Sequence, residues 1–221
     1  MKIVGIVGRS QSGKTSLIRQ LIPEVKDRGY SIAIIKHCPH GFTLDLEGKD
    51  TWHFTAAGAD GVGMTAPDEI AIIQGQDREE DFRAISGRYF AGIDMVLVEA
   101  GPGIKGLKKI EVLSKESGGR VESSREELLA VISDGKTIVG VPHFRPDEVK
   151  GIVDFLENNE NLEASPVYLE VDGESLPLNP FTGNLFEHVI LGMIRSLKGV
   201  KTDPKNITLS LARRNREDEE F

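Results

Sequence analysis

A glycine-rich segment close to the N-terminus constrains the fold of this chain more than any other feature of its sequence. Residues 8–15 have the sequence GRSQSGKT, which fills every fixed position of the phosphate-binding pattern G-x-x-x-x-G-K-[ST]. Residues 2–7 before it are mostly apolar and β-branched, as in a buried strand, and residues 16–22 after it carry apolar side chains at helical spacing. A strand, this loop and a helix in that order predict an α/β fold of the P-loop NTPase class.

The residue types in the loop suit the binding of a nucleoside triphosphate. Gly8 and Gly13 let the backbone curve so that successive N–H groups point at a phosphate, and the start of the helix adds favourable partial charge. The pattern assigns Lys14 to the β- and γ-phosphates, with a catalytic role, and the Thr15 hydroxyl to Mg²⁺. The predicted nucleotide-binding residues of this segment are Gly8, Arg9, Ser10, Gln11, Ser12, Gly13, Lys14, Thr15 and Ser16. The alternative is a glycine-rich turn that binds no ligand, and the flanking strand and helix argue against it.

Composition narrows the function classes. The length of 221 residues suits one α/β domain with a small appendage. The single cysteine, Cys38, excludes an internal disulfide and suits a reducing compartment. No apolar run approaches the roughly 20 residues that cross a bilayer, and the net charge of −8 argues against a nucleic-acid partner. We therefore expect a cytoplasmic protein that binds neither nucleic acid nor membranes.

Strand and helix signals alternate along the first 156 residues, which predicts a mainly parallel sheet flanked by helices. After the strand at 2–7, predicted strands lie at 31–36, 61–65, 69–74, 94–99, 109–113, 128–132 and 137–141. Predicted helices lie at 14–28, 50–57, 78–89 and 146–156. Together these elements predict a P-loop nucleotide-binding domain over residues 1–163.

A polar segment at 157–163 is typical of a linker, and it separates that domain from an appendage over residues 164–221. Within the appendage, Asp172-Gly173 between apolar stretches predicts a β-hairpin. A helix at 184–197 and a strand at 206–211 complete a small ββαβ, or α+β, unit with a charged tail at 216–221.

The strand at 94–99 ends in an acid that suits a metal site. Glu99 lies at the carboxyl end of this strand, beside the predicted phosphate loop, whereas Asp94 begins the strand roughly 17 Å away. Phosphoryl-transfer sites place an acid at such a strand end, where it holds Mg²⁺ or its waters. We therefore predict that Thr15 and Glu99 form the metal site, with Glu99 also in a catalytic role. The alternative is that Glu99 only ends a strand in solvent.

A cationic loop at residues 36–45 follows the second strand, on the sheet edge where open α/β sheets bind ligands. It can contact a second anionic substrate. His37, Cys38 and His40 are also three potential metal donors within four residues. Because a spaced fourth ligand is missing, a closed zinc site would need a second chain. The alternative is that Cys38 fills apolar space and the histidines are solvated.

Four stretches follow the loop in order: KH…H at residues 36–40, GKDTW…AGA at 48–59, DMVLVE at 94–99 and KIEV at 109–112. Together with the loop, they resemble the molybdopterin-guanine dinucleotide biosynthesis protein B family over residues 1–156. Residues 172–193 are similar to a small C-terminal extension found on some members. Two positions depart from the family pattern. Ala100-Gly101 follows Glu99 where members usually have Gly-Phe, and His53 stands where many have arginine.

The resemblance implies a weakly hydrolysing GTP-binding protein that requires Mg²⁺. It also implies a homodimer that works beside the molybdenum cofactor guanylyltransferase, with molybdopterin as a further candidate ligand. Gly8, Gly13, Lys14 and Thr15 match the nucleotide and Mg²⁺ binders, and Glu99 matches the acid of the second motif. The matching residues expected near the nucleotide are Lys36, His37, His40, Lys49 and Asp50.

The sequence indicates guanine specificity less strongly than it indicates phosphate binding. The Asn-Lys-x-Asp tetrapeptide of many GTPases does not occur in the sequence. Asp134, which follows the strand at 128–132, is the candidate guanine acceptor on the ligand-binding edge. The alternative is that Asp134-Gly135 is a simple turn.

Two other functions remain open at the level of sequence. Cys38-Pro39-His40 resembles the metal site of urease accessory GTPases, which suggests a nickel-metallochaperone GTPase. An ATP-dependent small-molecule kinase would use the 36–45 loop as its acceptor site, with Asp45 as the catalytic acid.

Overall fold

The computed structural model describes residues 1–75, 81–114, 120–135, 140–162, 167–172, 174–176, 178–199, 201, 204 and 206–211. In chain order, the strands are β1 (Lys2–Val7), β2 (Ile32–Lys36), β3 (Gly61–Thr65), β4 (Ile70–Gln74), β5 (Met95–Ala100), β6 (Lys109–Val112), β7 (Leu128–Ile132), β8 (His143–Phe144), β9 (Leu169–Val171) and β10 (Glu174–Leu176). The helices are α1 (Lys14–Asp27), α2 (Asp50–Ala56), α3 (Phe82–Tyr89), α4 (Val149–Glu157) and α5 (Pro180–Arg195), with a 3-10 turn at Glu160–Leu162.

Six strands form one parallel sheet in the order β2-β5-β1-β6-β7-β8. Strand β1 lies in the middle of the sheet, where Ile6 pairs with Glu99 on one side and with Ile110 on the other. Because all six strands run the same way, their carboxyl ends meet at one edge. The predicted α/β fold with a parallel sheet flanked by helices is confirmed.

Successive side chains of the central strands point to opposite faces of the sheet, and each face has its own core. On one face, side chains such as Ile6 and Leu97 pack with α1 and α4. On the other face, Val7 and Val98 pack with Phe82 of α3. Arg28, just after α1, forms ion pairs with Asp154 and Glu157 and so ties α1 to α4. The core therefore holds the helix that follows the phosphate loop firmly against the sheet.

Several predicted elements differ from the structure. Residues 78–80 of the predicted third helix and 137–139 of the predicted strand at 137–141 lie outside the described residues. Gly140 and Val141 form a turn and bend, and the strand there is β8, two residues further along. The expected linker is also partly wrong, because Leu162 is 3% exposed and packs in the core. The expected domain boundary at 163 lies outside the described residues.

The strand predicted at 206–211 is wrong, because these residues have no regular secondary structure. Ile207, Leu209 and Leu211 alternate with polar residues, as in a half-buried strand, but Leu209 and Leu211 are exposed. Alternation predicts a strand only where a sheet edge and a core accept it, and neither covers these side chains. The C-terminal unit consists of the antiparallel hairpin β9–β10 and α5.

The hairpin side of this unit rests on α3. The Tyr168 side chain lies against Gly87 so closely that a Cβ at Gly87 would meet Tyr168 Cγ at 2.4 Å. Arg88 forms an ion pair with Glu170, whose carboxylate also accepts a hydrogen bond from Tyr168 Oη at 2.7 Å. In the described part of the chain, no helix has the length and apolar character needed to cross a membrane.

Candidate nucleotide-binding site

The carboxyl edge of the sheet brings together residues that are far apart in the chain. Across the edge, Lys36 ends β2, Glu99 lies near the end of β5, and Gly8 directly follows β1. Glu111 lies in β6 on the other side of β1, paired with Val7. The phosphate loop therefore lies between two acids, Glu99 of β5 on one side and Glu111 of β6 on the other.

The phosphate loop depends on Gly8. Its φ of +153° is rarely adopted by other residues, and a Cβ there would meet the Val112 carbonyl oxygen at 2.4 Å and Ser12 Oγ at 2.6 Å. Gly13, with φ of +97°, is the N-cap of α1 and brings no side chain to the N–H groups of the first turn. The loop therefore forms a close-packed turn that leads directly into an uncapped helix start, which is the arrangement that binds phosphate.

Lys14, Thr15 and Glu99 form the chemical centre of the site. The Thr15 hydroxyl donates a hydrogen bond of 2.7 Å to the Glu99 carboxylate. Lys14 Nζ donates to the carbonyl oxygens of Gly8 at 2.8 Å and Arg9 at 2.6 Å, so its ammonium group lies across the loop. The predicted proximity of these three residues is present in the fold.

Burial lowers the pKa of the Lys14 ammonium group below its ordinary value. The negative charge of Glu99 opposes this effect, and the positive charge of Lys36 adds to it. A partly buried cation next to a second cation is stabilised by an anion. The electrostatics of the loop therefore favour a phosphate.

The donor set also fits Mg²⁺ and a phosphate. Hydroxyl and carboxylate oxygens, as on Thr15 and Glu99, are ligands that Mg²⁺ accepts. Ser12 Oγ is buried within the loop and has no hydrogen-bond partner among the described residues. A buried hydroxyl without a partner is costly, and a ligand oxygen at the loop would supply one.

Glu111 supports the loop from the other side, and the sequence-based assignment of site residues missed it. It is 2% exposed, and its carboxylate accepts hydrogen bonds from the N–H groups of Glu122 at 3.0 Å and Ser123 at 2.9 Å. Glu122 in turn forms an ion pair with Arg9 of the phosphate loop. The buried acid thus holds the segment that anchors Arg9.

A second missed residue, Lys109, anchors the loop that follows Glu99. Its side chain is 1% exposed, and its Nζ lies 2.9 Å from the Glu127 carboxylate and donates to the Ile104 carbonyl. The hydrogen bond from Lys109 is the main cause that lowers the pKa of Glu127, with a smaller effect from the Gly106 N–H. The available signal for both missed residues was that a lysine and a glutamate alternate with Ile110 and Val112 in a strand of the central sheet.

The residues expected from the 36–50 stretch divide into two groups. The His37 N–H donates to the Glu99 carbonyl at 2.9 Å, and its ring packs edge-on against Phe82. Lys36 pairs with Glu99 in the sheet. His40, Lys49 and Asp50 are exposed on the following loop and at the start of α2, outside the contacts that join Lys14, Thr15 and Glu99.

The structure also places the residues on which the two alternative functions depend. Across the described residues, no group of three or more His, Cys, Asp or Glu side chains is arranged to hold a metal ion, so His37, Cys38 and His40 do not form a centre within one chain. Asp45, the acid needed by a kinase, accepts a hydrogen bond of 2.8 Å from Thr51 in α2. Asp94 lies at the opposite edge, where its carboxylate accepts hydrogen bonds from Ser31.

Asp134 lies at the carboxyl edge, beyond the end of β7. The neighbouring Ser133 is buried, and its Oγ lies 2.9 Å from His143 Nε2 and accepts a hydrogen bond from the Gly135 N–H at 3.3 Å. These contacts fix the turn that carries the exposed Asp134. Ser133 directly follows β7 and His143 lies in the adjacent strand β8, so the sequence alone did not link them.

Comparison with known proteins assigns the family. A family model described as molybdopterin guanine dinucleotide synthesis protein B matches residues 3–134, which is more than half of the chain. The chain belongs to this family. The molybdopterin-guanine dinucleotide biosynthesis adapter protein of Haemophilus influenzae is 30% identical over 157 residues, covering 71% of this chain and 88% of that protein. The resemblance seen in the sequence motifs is therefore confirmed.

Two further relatives show how far the family likeness extends along the chain. A crystal structure of molybdopterin-guanine biosynthesis protein B has a TM-score of 0.56 and 31% identity, covering 70% of this chain and 97% of that one. A putative molybdopterin-guanine dinucleotide biosynthesis adapter protein of Methanocaldococcus jannaschii is 25% identical over an alignment of 238 residues, covering 96% of this chain and 97% of that protein. The hairpin β9–β10 and α5 lie beyond the 3–134 match, and the alignment with the M. jannaschii protein is long enough to include them.

Proposed function

We propose that this chain is a GTP- and Mg²⁺-binding adapter protein in the biosynthesis of molybdopterin guanine dinucleotide, with slow GTP hydrolysis. It acts as a homodimer beside the molybdenum cofactor guanylyltransferase, in the cytoplasm, and molybdopterin is a further candidate ligand. The proposal rests on the membership of the family and on one observation above others, the hydrogen bond between Thr15 and Glu99 beside Lys14.

In this proposal, the loop backbone and the start of α1 bind the phosphates, and Lys14 neutralises their charge. Thr15 and Glu99 hold Mg²⁺, which when bound neutralises negative charge on the phosphate oxygens. Glu111 and Lys109 keep the loops on either side in position, through Arg9–Glu122 and through Ile104. These groups bind and orient a triphosphate, which suits an adapter whose own hydrolysis is slow.

Guanine recognition is assigned to Asp134. Its carboxylate would accept hydrogen bonds from the N1 and N2 groups of guanine. The hydrogen bond from the Gly135 N–H to Ser133 Oγ fixes the turn that carries this carboxylate. Asp134→Asn keeps the shape of the side chain and removes half of the acceptor pair. We expect this variant to lose most of its preference for GTP over ATP. An unchanged preference would exclude Asp134 from this role.

The decisive experiment is a calorimetric titration of the full chain with non-hydrolysable GTP and ATP analogues, each with Mg²⁺. We expect a clear preference for the guanine analogue and loss of measurable binding in Lys14→Ala. The matched control is Lys26→Ala, an exposed lysine in the last turn of the same helix, which should bind as the unmodified chain does. Binding by Lys14→Ala at normal affinity would refute the site, and preference for the adenine analogue would favour a kinase.

The metal assignment has its own test. Glu99→Gln should weaken nucleotide binding in the presence of Mg²⁺ and have little effect without it, because only the metal ligand is lost. Asp94→Asn is the matched control, since it alters the acid that directly precedes the same strand, at the opposite edge of the sheet. Equal Mg²⁺ dependence in both variants would argue against Glu99 as a metal ligand.

The adapter role requires a partner. Turnover of GTP and formation of the guanine dinucleotide should be measured with and without the guanylyltransferase. Product formation that rises on addition of this chain, and that depends on Lys14, is the expected result. No effect on the guanylyltransferase, with nucleotide binding intact, would leave a nucleotide-binding protein that is not its adapter.

A further inference from the structure

One row of paired residues crosses the sheet from the phosphate loop to the last strand. Val7, which directly precedes Gly8, pairs with Glu111. Glu111 pairs in turn with Val131, and Val131 pairs with His143. Neighbouring strands lie about 4.8 Å apart, so along this row β7 is about 10 Å from β1 and β8 about 14 Å from it. A single nucleotide with its phosphates on the loop can therefore reach the ends of these two strands.

At that end of the sheet, Ser133 is attached to β8 through both its backbone and its side chain. Its N–H donates to the Phe144 carbonyl at 3.1 Å, and its Oγ lies 2.9 Å from His143 Nε2. The same Oγ accepts a hydrogen bond of 3.3 Å from the Gly135 N–H, which closes a short ring around Asp134. The turn that carries Asp134 is therefore coupled to the His143 ring through one hydroxyl.

The His143 ring makes the shorter of the two side-chain contacts of this hydroxyl. The 3.3 Å from the Gly135 N to Ser133 Oγ lies beyond the usual range of N–H···O bonds, whereas the 2.9 Å to the ring is an ordinary hydrogen-bond length. Ser133 is 8% exposed, so without the ring its hydroxyl would be largely shielded from water and left with the weaker bond. A serine side chain has three staggered rotamers, and the ring favours the one that receives the Gly135 N–H. Removal of the ring should therefore loosen the turn, while backbone hydrogen bonds keep the strands paired.

We infer that His143 is a positioning residue for guanine specificity, which acts through Ser133 and holds the Asp134 carboxylate where it can accept from guanine. The inference rests on the proposed function, because it needs Asp134 as the guanine acceptor. In this arrangement, His143 does not contact the nucleotide, and the phosphates are bound by the loop that follows β1. Strand β8 thus contributes to the choice of base and not to the binding of phosphate.

Replacement of His143 tests the choice of base separately from phosphate binding. In calorimetric titrations of the full chain with Mg²⁺, His143→Ala should lower the affinity for the GTP analogue about tenfold, the size expected when a hydrogen bond to a charged group is lost. Its affinity for the ATP analogue should change by less than about twofold. His143→Gln, whose amide can still reach Ser133 Oγ, should retain the preference for the GTP analogue.

The matched control is Phe144→Leu in the same strand. The Phe144 ring packs on Phe155 of α4, on the opposite face of the sheet from His143, and its carbonyl remains available to the Ser133 N–H. This variant should lower the stability of the chain and keep the preference for the GTP analogue. A similar loss of affinity for both analogues in His143→Ala would overturn the inference, because it would indicate a general loss of structure.

A double-mutant cycle tests whether His143 acts through Ser133. Ser133→Ala should lower the affinity for the GTP analogue as His143→Ala does, and the double variant should lose no more than either single variant. Additive losses would contradict the inference, since His143 would then act on the nucleotide by a route that does not include Ser133.

Asp134→Asn separates this inference from the proposed function. The expected result is loss of the preference in both Asp134→Asn and His143→Ala, with binding of the ATP analogue intact. Loss in Asp134→Asn with an unchanged preference in His143→Ala would refute the role of His143 and leave the guanine acceptor in place. An unchanged preference in Asp134→Asn would refute the guanine acceptor itself, and the positioning role with it.

Discussion

In the parallel sheet, strands β1 and β5 bury almost every side chain, whereas α5 exposes apolar side chains along its whole length. Both segments are rich in apolar residues, so composition does not separate them. The difference lies in their neighbours: β1 and β5 have a strand on each side and helices over both faces, and α5 lacks such cover among the described residues. A similar apolar content therefore forms a core in the sheet and an exposed surface on α5.

The same comparison separates the roles of the polar residues. In the sheet, Lys109 and Glu111 are buried, and each has hydrogen bonds that fix a loop beside the phosphate loop. In the C-terminal unit, Arg88 and Glu170 form a partly exposed ion pair between α3 and the hairpin. Buried polar contacts position a site, and surface pairs contribute little to stability. We therefore place the chemistry at the edge of the sheet, beside these buried polar contacts, and not in the C-terminal unit.

The largest expected difference between the two regions, in the free energy of unfolding, comes from replacing one leucine by alanine in each of them. Leu97→Ala removes a fully buried side chain and leaves a cavity in the core, which should lower the free energy of unfolding by about 3 kcal/mol. Leu185→Ala removes a half-exposed side chain and should change it by less than about 0.5 kcal/mol at low protein concentration. Urea unfolding followed by circular dichroism measures both values. Equal losses would mean that α5 is packed as tightly as the sheet.

A smaller effect is expected from Lys109→Met, which removes the buried cation that pairs with Glu127. We expect the free energy of unfolding to fall by about 2 kcal/mol at neutral pH, because the Glu127 carboxylate and the Ile104 carbonyl lose the donor that Lys109 provides. The control is Lys105→Met in the same loop, where the lysine is exposed and the change should be small. A loss no greater than that of the control would show that Lys109 does not stabilise the loop.

The effect of Lys109→Met should depend on pH in one direction. The pKa of Glu127 is lowered in the folded chain, so its contribution is present above the unfolded pKa, about 4.3, and is lost as pH falls through the folded value. The difference between the variant and the unmodified chain should stay constant from about pH 8 to 5 and shrink below about pH 4. Urea midpoints over this range measure it, and a difference that grows on acidification would contradict the assignment.

The smallest expected effect concerns the contact between the two regions. Gly87→Ala would push Tyr168 away from α3, at a cost of about 1–2 kcal/mol within the range for overpacked sites. The loss of stability should be local to the hairpin β9–β10. The hairpin should become more sensitive to limited proteolysis, while nucleotide binding persists. Gly151→Ala in α4 has only ordinary contacts, and it should stabilise the chain by about 0.5–1 kcal/mol. Equal protease sensitivity in the two variants would show that Tyr168 does not hold the hairpin.

The sequence by itself determined the phosphate loop, most of the strands and the likeness to the family. These features are local: the loop residues from Gly8 to Thr15 are neighbours in the chain, and the apolar runs of β1, β5 and β7 define buried strands without further information. The proximity of Thr15 to Glu99 also followed, since both belong to one edge of a parallel sheet.

Only the tertiary structure decided what Lys109, Glu111 and Tyr168 do. Their partners lie many positions away in the chain, and the order of the strands, with β6 between β1 and β7, brings some of them together. The alternation at 206–211 failed as a strand signal for the same reason, because its outcome depends on whether a neighbouring strand is available. Local patterns fix which residues can be buried, and the packing of distant segments fixes which polar groups meet and which apolar surfaces stay uncovered.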